Sequence, residues 1–112
     1  MTLDAPTLLS MLETIDPTDS TALDALDLHV SHFLAHPLPL RYSRSRDVLK
    51  SIRPEGFLVK IEIWPSGPSV MGCFIAENGE VTTFESGGGP TEELCELHVI
   101  IQAVAYLRAK AE

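Results

Sequence analysis

Apolar positions along the chain follow two rhythms, one near 3.6 residues and one of two, and their order predicts an architecture. Leu8, Leu9, Leu12 and Ile15 recur every three to four residues behind Pro6, which suits a first helical turn, so a short amphipathic helix is expected over residues 6–14. Asp16-Pro17 ends it. Asp19 is placed to cap a second helix, whose apolar face runs Leu23, Leu26, Val30, Phe33 and Leu34 until His36-Pro37. A third, short helix is expected with Ser43 as its cap and Val48, Leu49 and Ile52 as its apolar side, stopping before Pro54 and Gly56.

The period then changes to two. Phe57, Val59, Ile61 and Ile63 alternate with Leu58, Lys60, Glu62 and Trp64, as in a strand, and the turn Pro65-Ser66-Gly67-Pro68 follows. Residues 70–76 are apolar on both sides, as in a central strand covered on both faces. Asn78-Gly79 predicts a two-residue type I′ hairpin into a third strand over residues 81–85, whose Thr and Glu content suits an edge. Past Gly87-Gly88-Gly89-Pro90 the longest helix is expected over residues 91–109, with Leu94, Leu97, Ile101, Val104 and Ala105 toward the sheet. Val99, Ile100, Ala103 and Tyr106 form a second apolar strip, so this helix should have two partners.

The order predicts an α+β fold: a three-stranded antiparallel meander with N-terminal helices and a long C-terminal helix, arranged as a three-layer α-β-α sandwich. At 112 residues the chain fits a single domain, 1–112, divided into an N-terminal helical segment at 1–17 and a sandwich core at 18–112.

Charge changes the picture in one place. The formal net charge is -8, yet residues 41–53 (RYSRSRDVLKSIR) hold five of the eight basic side chains. Such an acidic balance disfavours generic binding to nucleic acid, which depends on Lys and Arg neutralising phosphates. The opening MTLDAPTLLSML carries an acid where a secretory signal needs positive charge, and no apolar run is long enough for a membrane span, so a cytoplasmic protein is expected. Cys73 and Cys95 lie among apolar neighbours outside any CxxC pair and read as reduced core thiols, although two cysteines do permit one disulfide.

The basic island is the best candidate site. At a helix start, Arg41, Arg44 and Arg46 would offer guanidinium forks to phosphate oxygens, Tyr42 could stack on a base, and Ser43 would cap the turn beneath them. The competing reading pairs these arginines with the acidic helices. His29, His32 and His36 are spaced i, i+3, i+7 with no second ligand cluster, so no metal is expected, and no cofactor either. Gly87-Gly88-Gly89 lies among carboxylates with no lysine of a phosphate loop. With no nucleophile beside a base, no catalytic residue is assigned and no enzymatic activity is expected.

The stretches RYSRSRDVLKSIRPEGF (41–57) and TEELCELHVIIQAVAYLRAK (91–110) resemble the phage ABA-sandwich domain family, through Tyr42-Ser43, Asp47, Pro54-Glu55-Gly56-Phe57 and Leu94-Cys95. A tryptophan expected in the helix after the Tyr-Ser pair is replaced near Val48 or Leu49. The resemblance implies a phage or prophage accessory protein similar to the Thoeris anti-defence sponges, which sequester cyclic nucleotide signals without cleaving them. The basic island, read from its own residues, supplies the expected contacts: Arg41, Tyr42, Ser43, Arg44 and Arg46. The alternative is an acidic interaction module that inhibits a host nucleic-acid-binding defence complex by imitating phosphate. Either way a homo-oligomer is expected, because the second strip of the last helix together with Leu58, Trp64 and Met71 exceeds what one copy can cover.

Overall fold

The computed structural model describes residues 3–36, 40–87 and 90–111. Four helices and three strands follow in the order α1 (Ala5–Thr14), α2 (Ser20–Leu34), α3 (Arg46–Ile52), β1 (Leu58–Trp64), β2 (Gly67–Ile75), β3 (Val81–Gly87) and α4 (Glu92–Ala111). The strands form an antiparallel meander ordered β1-β2-β3. This is the predicted α+β fold, with its N-terminal helices and long C-terminal helix.

Local chemistry accounts for most boundaries. Asp4 Oδ1 accepts from the Thr7 N–H at 2.9 Å and Asp19 Oδ1 from the Ala22 N–H at 3.1 Å, so each aspartate satisfies an otherwise orphaned amide at a helix start. α2 ends in a Schellman arrangement: the His36 N–H donates to the Ser31 carbonyl and the Ala35 N–H to that of His32. Ala35 takes a left-handed φ of 57° to make it.

Two turns differ from expectation. Ser45, not Ser43, caps α3, its Oγ accepting from the Val48 N–H at 3.3 Å. The β2–β3 loop has three residues instead of two: the Gly79 N–H donates to the Ala76 carbonyl and the Ala76 N–H to the Glu80 carbonyl. Gly79 alone takes positive φ, at 85°, so the loop is a type I turn closed by a left-handed glycine and not a type I′ turn. Asn78 instead uses its side-chain oxygen to accept from the Glu80 N–H. β2 also begins earlier than predicted, at Gly67, because Pro68 lies near the strand's start, where a missing N–H is tolerated.

α4 is the middle layer. On one side it packs on β2 and β3, and on another against α1 and α3. Its sheet-facing strip is Cys95, Val99, Gln102 and Tyr106: Cys95 Sγ lies 3.8 Å from the Pro68 carbonyl, Gln102 donates to the Glu85 carbonyl, and Tyr106 packs with Phe74 and Phe84. Phe57 joins this aromatic cluster, and Gly72 makes room for it, since a Cβ there would stand 2.1 Å from Phe57 Cζ and 2.6 Å from Val99 Cγ1. The strip of Leu97, Ile101 and Val104 faces the helices, as Arg108 at its end shows by donating to the Phe33 carbonyl and lying 4.5 Å over the Phe33 ring. Val99 and Tyr106 of the second strip thus meet the sheet, and the strip expected there faces the helices instead.

Three layers are present, but their order is sheet, α4, N-terminal helices. With α4 drawing the other helices onto its far side, none among the described residues covers the second face of the sheet, and β2 is buried on one face only. No helix is long and apolar enough to cross a membrane among the described residues.

Candidate functional site

The basic island folds inward. Residues 41–45 form a tight turn in which the Arg44 and Ser45 N–H groups both donate to the Arg41 carbonyl, and the turn lies on α2. Tyr42 is wholly buried there, its ring edge-on to His36 at 6.3 Å between centroids. Burial pushes its phenol above the ordinary range, against the opposing pull of a hydrogen bond with Ser31. Ser43 is buried as well. Its N–H donates to Asp27 Oδ1 at 2.9 Å, while its Oγ has no hydrogen-bond partner among the described residues.

The cations are mostly engaged. Arg44 Nη2 donates to Asp24 Oδ1 at 2.6 Å and Asp27 Oδ2 at 2.8 Å, and these bonds hold its guanidinium even more firmly charged than usual. Arg46 pairs with Glu92, and Arg53 donates from Nε at 2.9 Å and lies at 2.8 Å through Nη2 from Glu96 Oε2. Arg41 is exposed and makes no ion pair among the described residues.

Arg41 and Arg44 line an open hollow of about 350 Å³ with Asp24, Asp27, Leu28 and Leu40. Two guanidinium groups face two carboxylates, so the hollow has no net charge, and an incoming anion must compete with Asp24 and Asp27 for Arg44. Of the five predicted contacts, Arg41 and Arg44 line it. Tyr42 and Ser43 lie in the core with no exposed ring or hydroxyl to offer a base, and Arg46 points to α4. At the hollow, Arg44 Nε is buried and unpartnered among the described residues.

The acids that complete these pairs had a signal in the sequence. Asp27 lies on the buried stripe Leu23, Leu26, Val30, and Glu96 shares a helical face with Val99, Ile100 and Ala103. A carboxylate on a buried stripe needs a cation, and Arg44 and Arg53 supply it.

The second candidate is the uncovered face of the sheet. Leu58, Trp64, Met71, Ile75 and Val81 remain 57, 55, 41, 58 and 56 % exposed. Cys73, a free thiol, lies half-buried between them on β2, whereas Cys95 is buried. Register sets these side chains in rows across the strands: Leu58, Cys73 and Thr83 in one, Lys60, Met71 and Glu85 in the next. Lys60 also reaches along its strand to Glu62 at 2.7 Å.

His29 and His36 are half-buried and His32 is exposed. No group of three or more His, Cys, Asp or Glu side chains is arranged to hold a metal ion among the described residues. No protein-family model matches the chain, and neither a curated protein nor a solved structure does.

Proposed function

We propose that the protein is a non-catalytic association module whose working surface is the bare face of its sheet. One observation carries this reading: four large apolar side chains, Leu58, Met71, Ile75 and Val81, stand in adjacent rows around Cys73, with Trp64 farther along the same face, on a regular, hydrogen-bonded surface that no other element covers among the described residues. Contiguous apolar surface of that kind marks an interface, because leaving it in water forgoes about 25 cal/mol for each Å² that a partner would bury. Cys73 provides the test. Its alkylation should slow when a partner covers the face and recover in Met71→Asp, with buried Cys95 as internal control. An unchanged rate across all concentrations and mixtures would refute the reading.

A second reading, capture of a phosphate-bearing nucleotide, has Arg41 and the unpartnered Arg44 Nε beside a hollow in its favour, together with the resemblance to nucleotide sponges. Tyr42 and Ser43 could join only if the turn unfolded from α2. Titration calorimetry against cyclic dinucleotides, cyclic trinucleotides and cyclic ADP-ribose isomers tests it. Micromolar binding lost in Arg41→Ala would support it, and silence across the panel removes it.

A further inference from the structure

The geometry points to a second copy of this chain as the occupant of the bare sheet face, packed sheet on sheet about a twofold axis running along β2. The inference rests on the association reading and names its partner. It begins with the row Lys60–Met71–Glu85, in which register places a cation at one edge, an apolar side chain at the centre and an anion at the other edge. A twofold axis along β2 in the plane between two such sheets exchanges the edges. Lys60 of each copy then stands over the partner's Glu85, two ion pairs are made, and Met71 meets the partner's Met71 on the axis. Turning the axis by a right angle through this row would set β1 over β1, with Lys60 facing Lys60 and Glu85 facing Glu85.

The neighbouring positions agree. Along β2 the outward residues Ser69, Met71, Cys73 and Ile75 would each lie near their own symmetry mates, and none carries a charge. Leu58 would meet the methyl-bearing Thr83, and Glu62 would meet Gly87, where no side chain obstructs it. Aligned sheets pack about 10 Å apart, crossing at about 30°, a separation that side chains of this size fill.

The area is sufficient. At the exposures given above, the five apolar side chains offer roughly 500 Å² per copy, and with Lys60, Glu62, Thr83 and Glu85 the face approaches the ~800 Å² per partner of a stable interface. The resulting molecule would be layered helices, sheet, sheet, helices, with both sheets covered.

Sedimentation of the full chain over a concentration series, with charge exchanges, decides the matter. The parent should be dimeric at micromolar concentration. Lys60→Glu and Glu85→Lys should each weaken the dimer about tenfold or more, and the double exchange should restore most of the affinity. A dimer in which the double exchange restores nothing overturns this packing. A monomer that binds an apolar dye, and loses it in Met71→Asp, overturns the dimer while leaving the face as an interface for another protein. A monomer that binds no dye, with Cys73 alkylated at one rate throughout, overturns both. Urea unfolding of each variant shows that the fold is retained.

Discussion

Removing Arg53 should cost far more than its position at the surface suggests. The guanidinium is about a quarter exposed, but its partner Glu96 is 1 % exposed, inside α4, and receives both donors on Oε2. Arg53→Ala would leave a carboxylate between α3 and α4 with no cation. Breaking a fully buried pair in this way costs about 3–5 kcal/mol. Because Arg53 lies at the rim, water can enter behind it, and we expect about 2–4 kcal/mol, or roughly 10–20 °C in Tm for a domain of this size. In urea, with a slope near 1–3 kcal/mol per molar, the midpoint should fall by about 1–2 M. The double variant Arg53→Met/Glu96→Leu, which replaces the pair with apolar side chains, should recover most of the loss. As a contrast, Arg46→Ala opens the exposed pair with Glu92 and should cost about 1 kcal/mol or less. If Arg53→Ala unfolds within 0.5 kcal/mol of the parent, or the double variant is no better than the single, Glu96 does not depend on Arg53 and the reasoning fails.

Gly72→Ala should destabilise by about 1–3 kcal/mol in thermal melts, since the new methyl meets Phe57 and Val99, and Phe57→Leu in the same chain should return part of it. Ala35→Gly should raise stability by about 0.5–1 kcal/mol, because glycine takes the left-handed cap without a Cβ penalty, and a lowered urea midpoint would contradict this. The Asp4 and Asp16 carboxyls are held below their usual value of 3.8 by hydrogen bonds, first to the Thr7 and Thr18 side chains and then to their backbone N–H groups. A group depressed by folding stabilises above its unfolded pKa and loses that contribution as pH falls through the folded one. Asp4→Asn/Asp16→Asn should therefore flatten the acid limb of the stability profile just below pH 3.8. A limb unchanged in slope would count against these hydrogen bonds.

Element types were legible in the sequence wherever one period dominated a long enough stretch. α2, β1 and α4 are such cases. The layer order was not, because it depends on which strip of α4 meets the sheet, and both strips are apolar. What decides is shape: Gly72 opens a slot that Phe57 and Val99 fill, and this turns the strip of Val99 and Tyr106 toward the sheet. Ser43 and Ser45 are equal as capping residues in isolation. Asp27, sixteen residues earlier, binds the Ser43 N–H and leaves Ser45 to cap, a long-range bond that local patterns do not contain. The local reversal of charge in the island was plain, but its meaning reversed once Asp24, Asp27, Glu92 and Glu96 clasped three of its five basic side chains, Arg44, Arg46 and Arg53.

The distribution of charge bears on both functional readings. Asp4, Glu13, Asp16, Asp19 and Asp24 are exposed on the α1–α2 layer, on the side of α4 away from the bare sheet face. An anion approaching the Arg41 hollow passes through their field, which at physiological salt decays over about 8 Å and so still reaches the rim of the hollow from Asp24. A second copy docking by its sheet meets little of that field, because α4 and the sheet hold the acidic layers of the two copies far more than one screening length apart. On the sheet face itself, charge is confined to the edges, where Lys60 can answer Glu85. An acidic chain that binds copies of itself has to keep its carboxylates off the contact, and this arrangement does so. The same arrangement works against an anionic ligand, which makes the sheet face, ahead of the basic island, the surface from which function should be sought.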